Sequence, residues 1–284
     1  MHPVRRLQLL AMVIVAQTLI MPGLPAAEKI FVKGNSTPTV GTITKVDDNA
    51  VYIDLSGVGG TSLQRAKIER VEIPRPADLA AGLKASKDGK FADAVKTLEP
   101  YHVKYRGLPE PWVEEATARL GDSYLAVKDW AKARDLFLGM RKFYPQSEFK
   151  DLMTSGLAQA LYGMSKPEDA LKLLEPMVLE REKDESVGDE QNRALGKAYV
   201  TLGRCYAASK NNDQALNAFL STTTIYYKDP VATSEALYES ALVFEKMENL
   251  PRAKGQLEDY MRDFPGGPLA ADAKKKLDSL NAVK

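Results

Sequence analysis

The sequence predicts a mainly α protein, an α-solenoid of about five helical hairpins preceded by a small β-barrel-like domain. Three observations predict it. A small residue is followed twelve residues later by Ala, and four after that by a large apolar residue, five times over: Gly82/Ala94/Leu98, Gly121/Ala133/Phe137, Ala158/Ala170/Leu174, Gly203/Ala215/Phe219 and Ala241/Ala253/Leu257. Repetition in register is the mark of a stacked array of supersecondary units. Residues 28–76 instead alternate polar with apolar side chains and are rich in β-branched types. Ahead of both, residues 1–27 have the layout of an export leader.

The leader begins with His2-Pro3-Val4-Arg5-Arg6 and continues with an apolar stretch, Leu7 to Ile20, broken by Gln8, Gln17 and Thr18. It ends in the small, helix-breaking Met21-Pro22-Gly23-Leu24-Pro25-Ala26-Ala27. Cleavage after Ala26 or Ala27 fits this pattern. The rival reading is a retained anchor, for which the apolar run falls short of the roughly 20 residues a bilayer requires. No Cys follows the leader to carry a lipid, and no later segment is apolar enough to span a membrane. The sequence thus predicts an exported protein, most simply periplasmic, with no integral membrane span after cleavage.

In residues 28–76, Thr39–Val46 and Ala50–Leu55 read as two strands of a hairpin around Asp47-Asp48-Asn49. Gly57-Val58-Gly59-Gly60 supplies the next turn, Leu63–Ile73 one or two further strands, and Ile30–Lys33 another. This pattern resembles a small five-stranded barrel of Sm-like type. Pro74-Arg75-Pro76 disfavours strand and helix and marks the linker. The module is expected either to cap the first repeat or to bind a partner of its own.

From residue 77 to 284 the array follows. Two antiparallel helices approach closely where one presents a small side chain and the other fills the space, and Gly121 and Ala133 would be such close-approach points, one on each helix. The turns between paired helices are polar, as in Val127-Lys128-Asp129 and Ser209 to Asp213. Pro145 and Pro265 follow second helices that they cannot extend. Leu120-Gly121-Asp122-Ser123-Tyr124 with Ala133, Phe137 and Pro145, and Leu202-Gly203-Arg204-Cys205-Tyr206 with Ala215 and Phe219, resemble the tetratricopeptide-repeat (TPR) signature. The resemblance implies a TPR-type α-solenoid. Ala94, Ala133, Ala170, Ala215 and Ala253 stand 39, 37, 45 and 38 residues apart. The family repeat is about 34, so extra residues are expected, most of them as an inserted loop at Glu182–Asn192. Pro268–Ala282 reads as a capping helix.

Composition narrows the chemistry. The chain is 44% hydrophobic and 27% charged, with net charge +1; its 39 basic side chains less Arg5 and Arg6 leave 37 against 38 acidic ones. No basic bias exists to neutralise phosphates, so no nucleic-acid partner is expected. With Cys205 the lone cysteine and His102 the lone histidine after the leader, no metal site of several such ligands can form. Cys205 reads as a small core residue, and His102 as a charged or hydrogen-bonded side chain at a helix end. Trp112 and Trp130 read as core residues at helix starts. The glycines at 57–60 lack the Lys-Ser/Thr of a phosphate loop. No catalytic residues, metal or cofactor are expected, and no enzyme.

What remains is the groove that the TPR resemblance implies. Carried over by register, its groove-facing positions are Glu115, Asp122 and Leu125 in the second unit, Leu152, Gln159 and Tyr162 in the third, Lys197 and Arg204 in the fourth, and Glu235, Tyr238, Leu242 and Glu245 in the fifth. Aromatic, aliphatic and oppositely charged groups together suit an extended peptide or a partner helix. Phe264–Leu277 is similar to repeats in the helical lipoprotein of the outer-membrane barrel-assembly machine and in the periplasmic coordinator of the Tol–Pal system. The expected role is a periplasmic scaffold that binds a protein partner, envelope- or outer-membrane-associated. The alternative is a structural subunit of a secretion or pilus-type complex that self-associates.

Overall fold

The computed structural model describes residues 27–55, 58–184 and 186–282. The expected leader falls almost wholly outside them, as does Gly57. Among the described residues five strands come first: β1 (Glu28–Val32), β2 (Thr39–Val46), β3 (Ala50–Leu55), β4 (Gly59–Gln64) and β5 (Ile68–Glu72). They form one antiparallel sheet in the order β4-β3-β2-β1-β5. Alternation decides its inner side, where Ile30, Ile43, Val51, Ile53 and Val71 are buried. The hairpin at Asp47–Asn49 forms as expected, with the Asp47 carboxylate accepting from the Asn49 and Ala50 amides at 2.9 Å. The expected closed barrel does not form. Among the described residues no ladder joins β4 to β5, which are linked by a single turn at Arg65–Lys67. Gly59 and Gly60, assigned to a turn by sequence, begin β4 and pair with Leu55 and Asp54.

Among the described residues eleven helices follow: α1 (Leu79–Lys87), α2 (Phe91–Tyr105), α3 (Pro111–Ala126), α4 (Trp130–Phe143), α5 (Lys150–Gly163), α6 (Pro167–Arg181), α7 (Asp189–Ala208), α8 (Asn212–Thr224), α9 (Pro230–Lys246), α10 (Leu250–Asp263) and α11 (Ala270–Ala282). The first ten pair as five consecutive hairpins, and α11 lies on α10. The sequence spacing is the seam of each hairpin. Ala94, Ala133, Ala170, Ala215 and Ala253 are fully buried, as are Leu98, Phe137, Leu174 and Leu257, with Phe219 nearly so. Gly121 and Gly203 are necessary here because a Cβ on either would sit 2.5 Å from a ring carbon of Phe137 or Phe219. Each hairpin turns at one register position. Gly89, Lys128, Ser165, Lys210 and Glu248 all adopt positive φ, between 60° and 76°. Side-chain caps at Asp129, Asn211 and Asn249 start three of the second helices.

One local expectation needs correction. The insertion between the third and fourth hairpins is shorter than Glu182–Asn192, because α7 already begins at Asp189. Acidic residues at 189 and 190 suit a helix N-terminus. Asn192 is held as well: its side chain donates to the Ile225 carbonyl and accepts from the Lys228 amide, both at 3.0 Å. His102 stands in the last turn of α2 as expected, and of the two forms expected there it takes the hydrogen-bonded one. Burial and then the nearby Arg106 push its imidazole down to about 4, and it packs against Thr117 Oγ1 of α3 at 3.4 Å.

Sheet and array share a core. Ile30, Ile43, Val51, Ile53 and Val71 belong to the same buried cluster as Leu98, Leu120 and Phe137. The junction is polar and specific at its margin. Glu28, at the start of β1, accepts from Tyr105 Oη at 2.5 Å and Lys104 Nζ at 3.0 Å, and also from the Ile43 amide. Trp112 Nε1 donates to the Ile73 carbonyl at 3.0 Å, which places this indole in the seam between sheet and α3. Arg65 lies over the Phe143 ring at 3.9 Å and donates to the Asp47 and Arg106 carbonyls.

Candidate protein-binding face

The first helices of successive hairpins, α3, α5, α7 and α9, pack side by side, and one face of them converges. A set of ion pairs that reach beyond the adjacent helix marks this face. Lys197 of α7 donates to Asp122 of α3 at 3.2 Å, past the intervening α5, and lies 3.7 Å from Asp229 at the start of α9. Arg119 of α3 pairs with Glu190 of α7 at 3.0 Å and with its own Asp122 at 3.6 Å. Side chains from helices that are not direct neighbours can meet in this way only on the concave side of a curved array.

The network continues toward the C terminus. Arg204 binds Glu235 at 3.1 Å and Glu239 at 2.8 Å, both on α9. Lys276 of α11 binds Glu245 at 2.9 Å. At the other end Arg75, in the linker, lies 3.7 Å from Glu115. Burial opposes the charge of Lys197, but Asp122 and Asp229 more than offset this and hold its ammonium above the usual range. Glu235 goes the other way: burial raises its carboxyl, with Arg204 opposing. Seven carboxylates (Glu115, Asp122, Glu190, Asp229, Glu235, Glu239, Glu245) thus face five cations (Arg75, Arg119, Lys197, Arg204, Lys276) in these pairs.

Of the residues expected to line the groove, the structure brings Asp122, Lys197, Arg204, Glu235 and Glu245 into this network, with Glu115 at its margin. Tyr162 and Tyr238 are half-buried beside it; burial raises both phenols, and the charges they sense include Arg204 and Glu239 for Tyr162, and Asp272 and Lys276 for Tyr238. Gln159 and Leu242 are partly exposed. Leu125 and Leu152 are elsewhere: they are 5% and 4% exposed and belong to the core packing of the second and third hairpins, leaving almost no surface for a ligand. Sequence reasoning missed Arg119, Glu190, Asp229, Glu239 and Lys276. Helical spacing held a signal for two of them, since Arg119 precedes Asp122 by three residues and Glu239 follows Glu235 by four.

Among the described residues no group of three or more His, Cys, Asp or Glu could hold a metal ion. Burial pushes the Cys205 thiol up to about 12, which makes it an inert packing group. Two shallow depressions lie away from the ion pairs, one of 510 Å³ between Asp78 and Tyr101 and one of 670 Å³ on the outer face of the sheet beside β4. No described helix is long and apolar enough to cross a membrane.

No protein-family model and no curated protein matches the sequence. Solved structures do match in shape. A thermophilic TPR protein of Thermus thermophilus gives a TM-score of 0.51 at 16% identity, covering 72% of this chain and 97% of that one. YrrB, described as a TPR protein with an unusual peptide-binding site, gives 0.41 at 22% identity, covering 69% and 90%. MamA of Desulfovibrio magneticus gives 0.43 at 14% identity, covering 66% and 96%. At such identities the likeness is one of fold, and the Thermus structure carries it. From its five hairpins in register, its small-to-large seams and that likeness, the chain has the fold of a TPR solenoid, with a small open β-sheet packed on its first hairpins.

Proposed function

We propose that this chain is a non-enzymatic scaffold that holds an extended segment of another protein along the concave face of its solenoid. The observation that carries the reading is the inner face itself. It gathers charged groups from α3, α7, α9 and α11 around two half-buried tyrosines, and carboxylates outnumber cations in its pairs. Such a face offers aromatic surface for apolar contact and fixed charge for orientation, and its acidic excess suits a segment that carries lysine or arginine. The leader pattern of residues 1–27 adds the compartment: the scaffold works after export, in a bacterial periplasm, in assembly or maintenance of the cell envelope.

The test is in-cell crosslinking of the tagged full chain, purification and mass spectrometry. A recurrent envelope protein, recovered with the native chain and lost when Tyr162 and Tyr238 are both changed to Ala, is the expected result. Recovery of cytoplasmic proteins only would overturn the compartment. Recovery unaffected by the two substitutions would overturn the groove.

A further inference from the structure

The two free edges of the sheet are built differently. β5 carries Glu69, Arg70 and Glu72 along five residues, and its register with β1 is broken between Phe31 and Val32. Charges and irregularities of this kind keep an edge from pairing with other chains. β4, at the opposite edge, is Gly59-Gly60-Thr61-Ser62-Leu63-Gln64. It has no charge and no proline, and it pairs with β3 in unbroken register over all six residues. Five of the six are exposed, and among the described residues no strand lies on its far side.

The core is also thinnest there. On β3, Val51 and Ile53 are fully buried or nearly so, yet their direct partners on β4, Leu63 and Thr61, are respectively half-buried and exposed. Directly paired residues share a sheet face, so the apolar inner side of the sheet runs out at β4 without a strand to cover it. On the outer side, Ser62 pairs with Tyr52 and Gly60 with Asp54. Thr44, Tyr52, Asp54, Gly60 and Ser62 line the shallow 670 Å³ depression there, together with Ile53 and Thr61 of the inner row.

We propose that β4 takes a sixth strand, an extended segment of a partner protein that alternates apolar with uncharged polar residues. Its apolar side chains would lie beside Thr61 and Leu63 and extend the buried row of Val51 and Ile53, where burial on binding disfavours charge. Its polar ones would lie beside Ser62 and Tyr52, where the exposed Asp54 disfavours acidic residues and Lys45, over the Tyr52 ring at 5.2 Å, disfavours basic ones. Main-chain hydrogen bonds to the edge provide the attachment. The occupant is a partner segment and not a second copy on grounds of area. Pairing β4 with itself joins one six-residue strand from each molecule, well short of the roughly 1,000 Å² that a stable assembly of folded subunits buries, whereas an added strand needs little more than the ladder.

The experiment places a photo-crosslinking benzoylphenylalanine at Ser62 of the full chain, with a second version at Glu69 on β5, in the cells that express the protein natively; crosslinked peptides are then sequenced. Adducts from Ser62 to a segment of alternating apolar and uncharged polar residues, absent from the Glu69 version, are the expected result. They should be lost when Thr61, an exposed residue, is changed to Lys, with the melting temperature unchanged. Adducts from Ser62 to β4 of a second copy would overturn the proposal in favour of self-pairing. Adducts to helical or lysine-rich segments, or none, would overturn it outright.

Discussion

The seams inside the hairpins and the concave face across them are built from the same helices but by different forces. The seams are apolar, closed and repeated: Ala133 and Phe137 in one hairpin do what Ala215 and Phe219 do in another. The concave face is polar, partly open and aperiodic, its pairs joining residues as far apart as Asp122 and Lys197. Stability therefore resides mainly in the seams, where buried area counts. The ion pairs, partly exposed, add less and serve to set the shape and charge of a surface.

The largest expected effect is in a seam. Phe137 is fully buried, and its ring lies where Gly121 of its own hairpin and Gly156 of the next leave room. Phe137→Ala should cost about 3–5 kcal/mol, read by denaturant unfolding; a loss like that of a surface substitution would break the account of the seams.

His102 tests a polar group in the seam between α2 and α3. Its folded pKa, about 4, lies below the ordinary value of 6.5, so the neutral form is favoured by folding. Its contribution is fully present above the unfolded pKa and is lost as pH falls from 6.5 toward 4, by up to about 3 kcal/mol. Urea melts of the native chain and of His102→Gln across this window should differ in slope; parallel curves would show that the histidine is not held neutral.

On the concave face the effect should be smaller and should depend on pH. Arg204→Met leaves Glu235 and Glu239 without their shared partner and should cost roughly 1–3 kcal/mol at neutral pH. The loss should shrink in mild acid as Glu235 takes up a proton, and a pH-independent loss would mean that Arg204 acts by packing alone. The smallest change should be at the turns. Lys210 holds φ 61° where the first hairpin has Gly89, so Lys210→Gly relieves left-handed strain while adding unfolded-state freedom. A net gain of up to about 1 kcal/mol is expected by thermal melt.

The difference between the two regions also decides what can be read from sequence. The seams are legible because packing repeats: a small residue, an Ala and a large apolar residue recur at fixed spacing. The strands at 39–46 and 50–55 are legible from their alternation. Closure of the sheet is not, because Gly59 and Gly60 carry no alternation and read as a turn, and only the strand order shows β4 to be an unclosed edge. Register alone places Leu125 and Leu152 on the groove, but the packing of α3 and α5 among their neighbouring helices draws both into the core. The partners of Lys197 are invisible for the opposite reason. Curvature brings Asp122 and Asp229 to it from two other elements, and no local spacing encodes that.

The most direct test of the central claim separates these two regions in one pair of measurements. The affinity of the purified chain for its recovered partner and its melting temperature are measured for the native sequence and for the Tyr162→Ala/Tyr238→Ala variant. Affinity should fall at least about tenfold, while the melting temperature falls by no more than about 8 °C for the loss of two half-buried rings. An affinity unchanged by the two substitutions would contradict the central claim and place binding on another surface.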